Sequence, residues 1–127
     1  MLHRDEHTPV ISVIVVNYNG CEHIERCLNA LERQTVSHEV IVVDNGSKDE
    51  SCALIRESYS KVCLIEHQEN IGFSAANNAG AAVARGDYLA FLNNDTEAAP
   101  DWLEALRNGL DENPSSGFAA SRIVYLD

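Results

Sequence analysis

Residues 10–20 read VISVIVVNYNG: an apolar, β-branched run from Val10 to Val16, interrupted only by Ser12, that stops on Asn17, Tyr18, Asn19 and Gly20. A run this short, apolar on both sides of the alternation, suits a strand buried on both faces, the condition of strands in parallel sheets. Beyond Gly20 the period changes. Ile24, Cys27, Leu28 and Leu31 recur at helical spacing with Glu22, Glu25, Arg26 and Glu32 between them, which predicts an amphipathic helix over residues 21–33. The same alternation continues. VIVV at 40–43 is a second buried strand ending on DNGS, and Ser47 with Glu50 fits a capping box that starts a helix to about Ser58. A short strand over 62–65, the turn ENIGF and a small-residue helix over 74–84 come next, and then a fourth strand over 87–92. Pro100 suits the first turn of a further helix carrying Leu103, Leu106 and Leu110 on one face, with Asp101 and Glu104 at its positive end. NPSSG breaks that helix, and residues 118–126 read as a fifth strand. Strands alternating with helices define an α/β fold with a mainly parallel sheet, flanking helices and right-handed crossovers.

A chain of 127 residues supports one core, so residues 1–9 read as a flexible polar tail and 10–127 as a single domain. The formal net charge of -11, with 20 acidic against 9 basic residues and no basic stripe, argues against a nucleic-acid partner. A phosphorylated ligand would meet few protein cations, and a divalent metal would offset that conflict. No apolar run is long enough to form a transmembrane segment. Cys21, Cys27, Cys52 and Cys63 form no CxxC pair, so reduced, mostly buried thiols are expected, in keeping with a soluble, cytoplasmic protein. The five histidines are scattered and receive no role.

In open α/β sheets, ligands bind beyond the carboxyl ends of the strands, near the point where strand order reverses. Three strand ends are polar: Asn17-Tyr18-Asn19-Gly20, Asp44-Asn45-Gly46-Ser47 and Asn93-Asn94-Asp95-Thr96. Each has a purely structural reading as a turn or helix cap, which for Asp44 is about as good as a functional one. Their convergence on one sheet edge favours a site. Neither the GxxxxGK[ST] of a phosphate-binding loop nor a GxGxxG after the first strand is present.

The segments ISVIVVNYNG, EVIVVDNGS, ENIGFSAANNAG and GDYLAFLNND, in that order, resemble the nucleotide-sugar-binding half of inverting family 2 glycosyltransferases. The resemblance runs from Ile11 onward, and the wording LNND and NIGFSAANN is most similar to the rhamnosyltransferase-like branch. It implies a Rossmann-like GT-A fold, here truncated, and a hexosyltransferase-type activity in cell-wall or polysaccharide synthesis. The family's Asp-x-Asp metal motif falls on Asn93-Asn94-Asp95, which keeps one carboxylate. By resemblance, Asp95 would hold Mg²⁺ or Mn²⁺ on the donor's diphosphate, with the amides, Asn94 among them, bonding sugar or phosphate. Asp44 would accept the N3–H of a uracil or thymine, Tyr18 would lie against the base and Asn17 would sit beside them. Asn70 and Gly72 would shape the loop near ribose and diphosphate, and Asn78 would steady that wall; loop and helix packing explains these three equally well.

The implied partners are a nucleoside-diphosphate sugar, with dTDP-rhamnose favoured, and a saccharide or lipid-linked acceptor. A lipid-linked acceptor would bring a cytoplasmic protein to the inner face of the membrane, and an oligomer is compatible with the sequence. The same resemblance implies that the catalytic base lies beyond Asp127, on an acceptor-binding half; Glu97, Asp101 and Glu104 follow the metal motif too closely and read as helix-start acids. The alternative is a non-catalytic, truncated nucleotide-binding or interaction module, whose last strand would offer an open edge to a partner.

Overall fold

The computed structural model describes residues 8–125. The tail expected over 1–9 lies mostly outside them, although Pro9 is already buried and Val10 is tied to Ser37 and Asp87 by backbone hydrogen bonds. Eight elements alternate strictly along the chain: β1 (Ile11–Asn17), α1 (Ile24–Glu32), β2 (His38–Asp44), α2 (Ser51–Ser58), β3 (Cys63–Glu66), α3 (Phe73–Val83), β4 (Tyr88–Asn93) and α4 (Trp102–Glu112). The four strands form one sheet of order β3-β2-β1-β4, and every pairing is parallel. The order runs outward from β1 to β3, then returns to place β4 on the other side of β1. The reversal between β1 and β4 is therefore the topological switch point.

The pleat divides the core in two. Ile11, Val13 and Val15 of β1 pack with Val42 against Ile24, Cys27, Leu28 and Leu31 of α1, Ile55 of α2 and Leu103 of α4. Ile14, Ile41 and Val43 face the opposite way and meet Ala76 of α3. Small residues let α3 approach closely: a Cβ on Gly80 would lie 2.6 Å from Ile14 Cγ2. Because α3 packs on β1 and β2, Leu89 and Phe91, on the same face of β4, stay 46% and 53% exposed.

At the amino ends of the strands, buried Ser12 donates to Glu39 Oε1 at 2.6 Å, and Gly86 N–H donates to Ser12 Oγ at 2.8 Å. Glu39 also accepts from Arg85 N and Nε at 2.7 and 3.1 Å, so the α3–β4 turn is stapled to β1 and β2.

Several expectations need correction. Residues 118–125 form no strand; Phe118, Ile123 and Tyr125 are 84, 85 and 99% exposed, and Leu126 lies outside the described residues. β-propensity without a ladder partner does not make a strand. The capping box at Ser47 and Glu50 is not formed either, because α2 begins at Ser51 and Glu50 makes no side-chain cap bond. Asp49 does that work, accepting from Ser51 N at 3.1 Å and from the Ser51 hydroxyl. The thiols are all free, but only Cys27 is buried; Cys63 is exposed because it opens β3, an edge strand. Burial pushes the Cys27 thiol up to about 12. Among the described residues, no helix is long and apolar enough to cross a membrane.

Candidate functional site

The parallel register brings Asn17 of β1 opposite Asp44 of β2, and Val16 opposite Asn93 of β4. The last residues of three strands are thereby held side by side, and Asn17 laces them together. Fully buried, its Nδ2 donates to Asp44 Oδ1 and Ser51 Oγ, each at 2.9 Å, and its Oδ1 accepts from Asn94 Nδ2 at 2.9 Å. Gly20 sits against this arrangement. A Cβ there would lie 2.2 Å from both Asn17 Oδ1 and Asn94 Nδ2, so a side chain would displace the pair.

Asp44 is 2% exposed and turns both oxygens inward. Oδ2 accepts from the Gly46 and Ser47 N–H groups at 3.2 and 2.8 Å, while Oδ1 accepts from Asn17 and from the Ser47 hydroxyl at 2.6 Å. Four donors occupy the roughly four lone-pair positions of a carboxylate. Burial pushes this carboxyl up, but the Ser47 hydroxyl, the Ser47 N–H and the Asn17 amide outweigh it and hold the group below its ordinary range.

The third wall comes from the loop between β3 and α3. Asn45, also 2% exposed, donates to Gly72 O at 3.2 Å and accepts from Ile71 N at 3.4 Å. Gly46 has φ of 80°, and a Cβ there would lie 2.9 Å from Glu69 Cα, so the β2 end and this loop touch backbone to backbone. Gly72 takes φ of 91°, and its N–H is held by Asn70 Oδ1 at 2.8 Å.

Between these walls lies a cleft of about 310 Å³ lined by Val16, Tyr18, Asn45, Asn70, Phe73, Asn93, Asn94 and Asp95. Of the residues predicted from the sequence, Tyr18, Asn70, Asn94 and Asp95 meet at this cleft. Asn17 and Asp44 lie beneath it as buried supports. Gly72 shapes the loop without lining the cleft, and Asn78 is exposed on α3 away from its lining. Asn93, one of the amides that the resemblance assigns to sugar or phosphate, also lines the cleft. Sequence reasoning gives no role to Asn45 or Phe73: Asn45 stands within a polar strand end that the sequence does single out, whereas Phe73 comes after a turn and belongs to no periodic face. Tyr18 and Phe73 are 51% and 60% exposed, an aromatic surface bordered by amides and one carboxylate. A larger groove of about 670 Å³ runs along β4 and α4, but none of the polar strand ends line it.

The donors that the cleft offers a cation are the Asp95 carboxylate and amide oxygens. Among the described residues, no group of three or more His, Cys, Asp or Glu side chains could hold a metal ion. This hard-oxygen set fits Mg²⁺ or Mn²⁺ only where a ligand's phosphates and water complete the coordination.

Residues 12–127 match the family model described as glycosyl transferase family 2. The glycosyltransferase AglE of Haloferax volcanii is 39% identical over 102 residues, covering 76% of this chain and 34% of that protein. The crystal structure of S. aureus TarS 1-349 in complex with UDP-GlcNAc superposes with a TM-score of 0.74 at 26% identity, over 82% of this chain and 32% of that one. The mannosyltransferase PcManGT from Pyrobaculum calidifontis, in complex with GDP-Man and Mn2+, superposes with a TM-score of 0.68 at 29% identity, over 75% of this chain and 32% of that one. The fold is thus that of the GT-A glycosyltransferases. The chain spans about a third of the length of the relatives it matches, as with the 34% for AglE.

Proposed function

The chain belongs to glycosyl transferase family 2, and from that premise we propose that residues 10–127 hold a nucleoside-diphosphate sugar in the strand-end cleft for transfer to a saccharide or lipid-linked acceptor. The observation that carries this reading is the cleft itself. It lies at the β1/β4 switch point, its floor is a closed network of buried polar side chains, and its rim bears two exposed aromatics and the Asp95 carboxylate.

In this reading Tyr18 lies against the base, and Asn70, Asn93 and Asn94 offer amides to ribose, sugar or phosphate. Asp44 can accept a base N–H only if one internal donor yields, and the Ser47 hydroxyl is the donor free to rotate. Asp95, with the ligand's phosphates, would hold Mg²⁺ or Mn²⁺, and the bound cation would supply neutralisation of charge on the leaving diphosphate. The neighbours in complex with UDP-GlcNAc and with GDP-Man and Mn2+ support donors of this class. For the finer identity we infer a hexosyl transfer with inversion from a dTDP-linked deoxysugar such as rhamnose, in cell-wall or polysaccharide synthesis on the cytoplasmic side of the membrane. The acceptor oxygen bonds to the anomeric carbon, the bond from that carbon to the diphosphate oxygen breaks, and the hydroxyl proton passes to a base. None of the described residues is assigned as that base.

A non-catalytic interaction module is the second reading, favoured by the outer edge of β4, which has no ladder partner among the described residues and carries exposed Leu89 and Phe91. Calorimetric titration of the chain with UDP, dTDP and GDP, each with and without Mn²⁺, separates the two. Saturable, metal-dependent binding of UDP or dTDP that Asp95→Ala weakens supports the donor site. Absence of binding by a folded sample removes it.

A further inference from the structure

Tyr18 stands between two fixed residues. Asn17 before it is buried in the network, and Gly20 just beyond is buried against Asn17 and Asn94. Asn19, directly after Tyr18, is the one non-glycine among the described residues with a positive φ, 49°. That conformation is rare for side chains with a Cβ, and asparagine is among those that tolerate it best. Asn19 is also clasped to the loop after β2 in both directions. Its N–H donates to Ser47 Oγ at 2.8 Å, and its Oδ1 accepts from Lys48 N at 2.8 Å. Ser47 is itself anchored on Asp44, so the clasp runs back to the floor of the cleft. The Cys21 N–H, bonded to Asp49 Oδ2 at 3.0 Å, holds the far end of the same loop.

We propose that Asn19 is a positioning residue for Tyr18: the left-handed turn reverses the chain after β1, and the two-way clasp holds that turn so that the ring of Tyr18 borders the cleft. The Tyr18 side chain is half exposed, so packing alone does not fix it. Its placement is set by backbone on either side, and at Asn19 that backbone is held by side-chain bonds. The inference deepens the nucleotide-sugar reading and rests on it for its ligand.

The test uses Asn19→Gly, which allows the same backbone conformation but removes the Oδ1 acceptor, and Asn19→Asp, which keeps an acceptor. These are compared with Tyr18→Ala and with the Tyr18→Ala, Asn19→Gly double variant. Titration with UDP and Mn²⁺ is expected to show affinity falling about tenfold in Asn19→Gly and in Tyr18→Ala, the scale of losing one base–aromatic stack. The double variant is no weaker than either single one, and Asn19→Asp stays within about twofold of the parent. Pyrophosphate with Mn²⁺, which has no base, binds all variants alike. Additive losses, or parental affinity in Asn19→Gly, overturn the proposal.

Backbone ¹⁵N relaxation of the ligand-free chain decides separately. The Tyr18 amide is expected to change from an order parameter of about 0.85 to below about 0.6 in Asn19→Gly, while β1 stays rigid. An unchanged Tyr18 amide overturns the proposal even if UDP does not bind, whereas failure of the parent chain to bind UDP while Tyr18 loosens defeats the nucleotide reading instead.

Discussion

Asn94 donates a 2.9 Å hydrogen bond to Asn17 across the gap where the strand order reverses, joining the carboxyl end of β4 to that of β1. Asn17 passes the link on to Asp44 and Ser51, so one amide holds three elements in register. Replacing Asn17 by alanine removes one donor from the buried Asp44 carboxylate, the bond to Ser51 Oγ and the acceptor of half-buried Asn94 Nδ2, and each such lost bond costs about 1 kcal/mol or somewhat more where a charged group is involved. Asn17→Ala should therefore lower stability by about 3 kcal/mol in urea unfolding, while Asn94→Ala, removing a half-buried partner, should cost about 1 kcal/mol.

Two glycines should respond with opposite signs. Gly20→Ala pushes a methyl to within 2.2 Å of both amides of the Asn17–Asn94 pair, an overpacking that costs about 1–3 kcal/mol. Gly109, inside α4, has nothing within 4 Å of the same position, so Gly109→Ala should stabilise by up to about 1 kcal/mol through helix propensity. Thermal unfolding of the two variants, read against the parent, checks both signs.

Stability should fall in acid through three carboxylates held below their ordinary range, Glu39, Asp44 and the more exposed Asp49, of which the first two are the more buried. Glu39 and Asp44 are both pushed up by burial, yet the hydrogen bonds from Ser12 and Arg85 on Glu39, and from Ser47 and Asn17 on Asp44, leave each below its ordinary value. Unfolded, these groups titrate near about 4.3 and 3.9. A folded pKa below the unfolded one gives stability that is present above the unfolded pKa and lost as pH falls through the folded one. Urea midpoints should hold steady from neutral pH to about 5 and fall below about 4, and Glu39→Gln should lose part of that acid dependence. A parental acid limb in Glu39→Gln contradicts the assignment.

Metal and nucleotide should bind together. One carboxylate among amides is a poor cage alone, so Mn²⁺ without nucleotide should bind only at millimolar concentrations, and UDP should tighten it severalfold or more. Linkage requires Mn²⁺ to tighten UDP by the same factor. Asp95→Ala should abolish the coupling, with little change in unfolding because Asp95 is exposed.

The parts of the molecule that are legible from residue order are those where burial dictates composition. The β-branched runs at 10–16 and 40–43, and the helical spacing of Ile24, Cys27, Leu28 and Leu31, exist because those side chains fill the core. Residues 118–126 have comparable propensity, but a strand also needs a neighbour, and none is formed within the described residues. The start of α2 is ambiguous for a local reason. Ser47 and Asp49 both cap well, and only the tertiary demand on Ser47 from Asp44 and Asn19 shows why Asp49 takes the role. At the site, the polar strand ends are visible in the sequence, but their division of labour is not. Asn17 and Asp44 face inward because the register sets them opposite each other, and Asn45 is spent on Ile71 and Gly72. Register and loop contacts leave no periodic mark on a sequence.

The most direct test of the central claim is a ¹H–¹⁵N correlation spectrum of the chain titrated with UDP or dTDP in the presence of Mg²⁺, a diamagnetic ion. Saturable shifts are expected at Tyr18, Asn70, Phe73, Asn94 and Asp95, with the amides of Leu106, Leu110 and Phe118 in the groove along α4 unmoved. Shifts confined to that groove, or none at saturating nucleotide, would contradict the assignment of the strand-end cleft as the donor site.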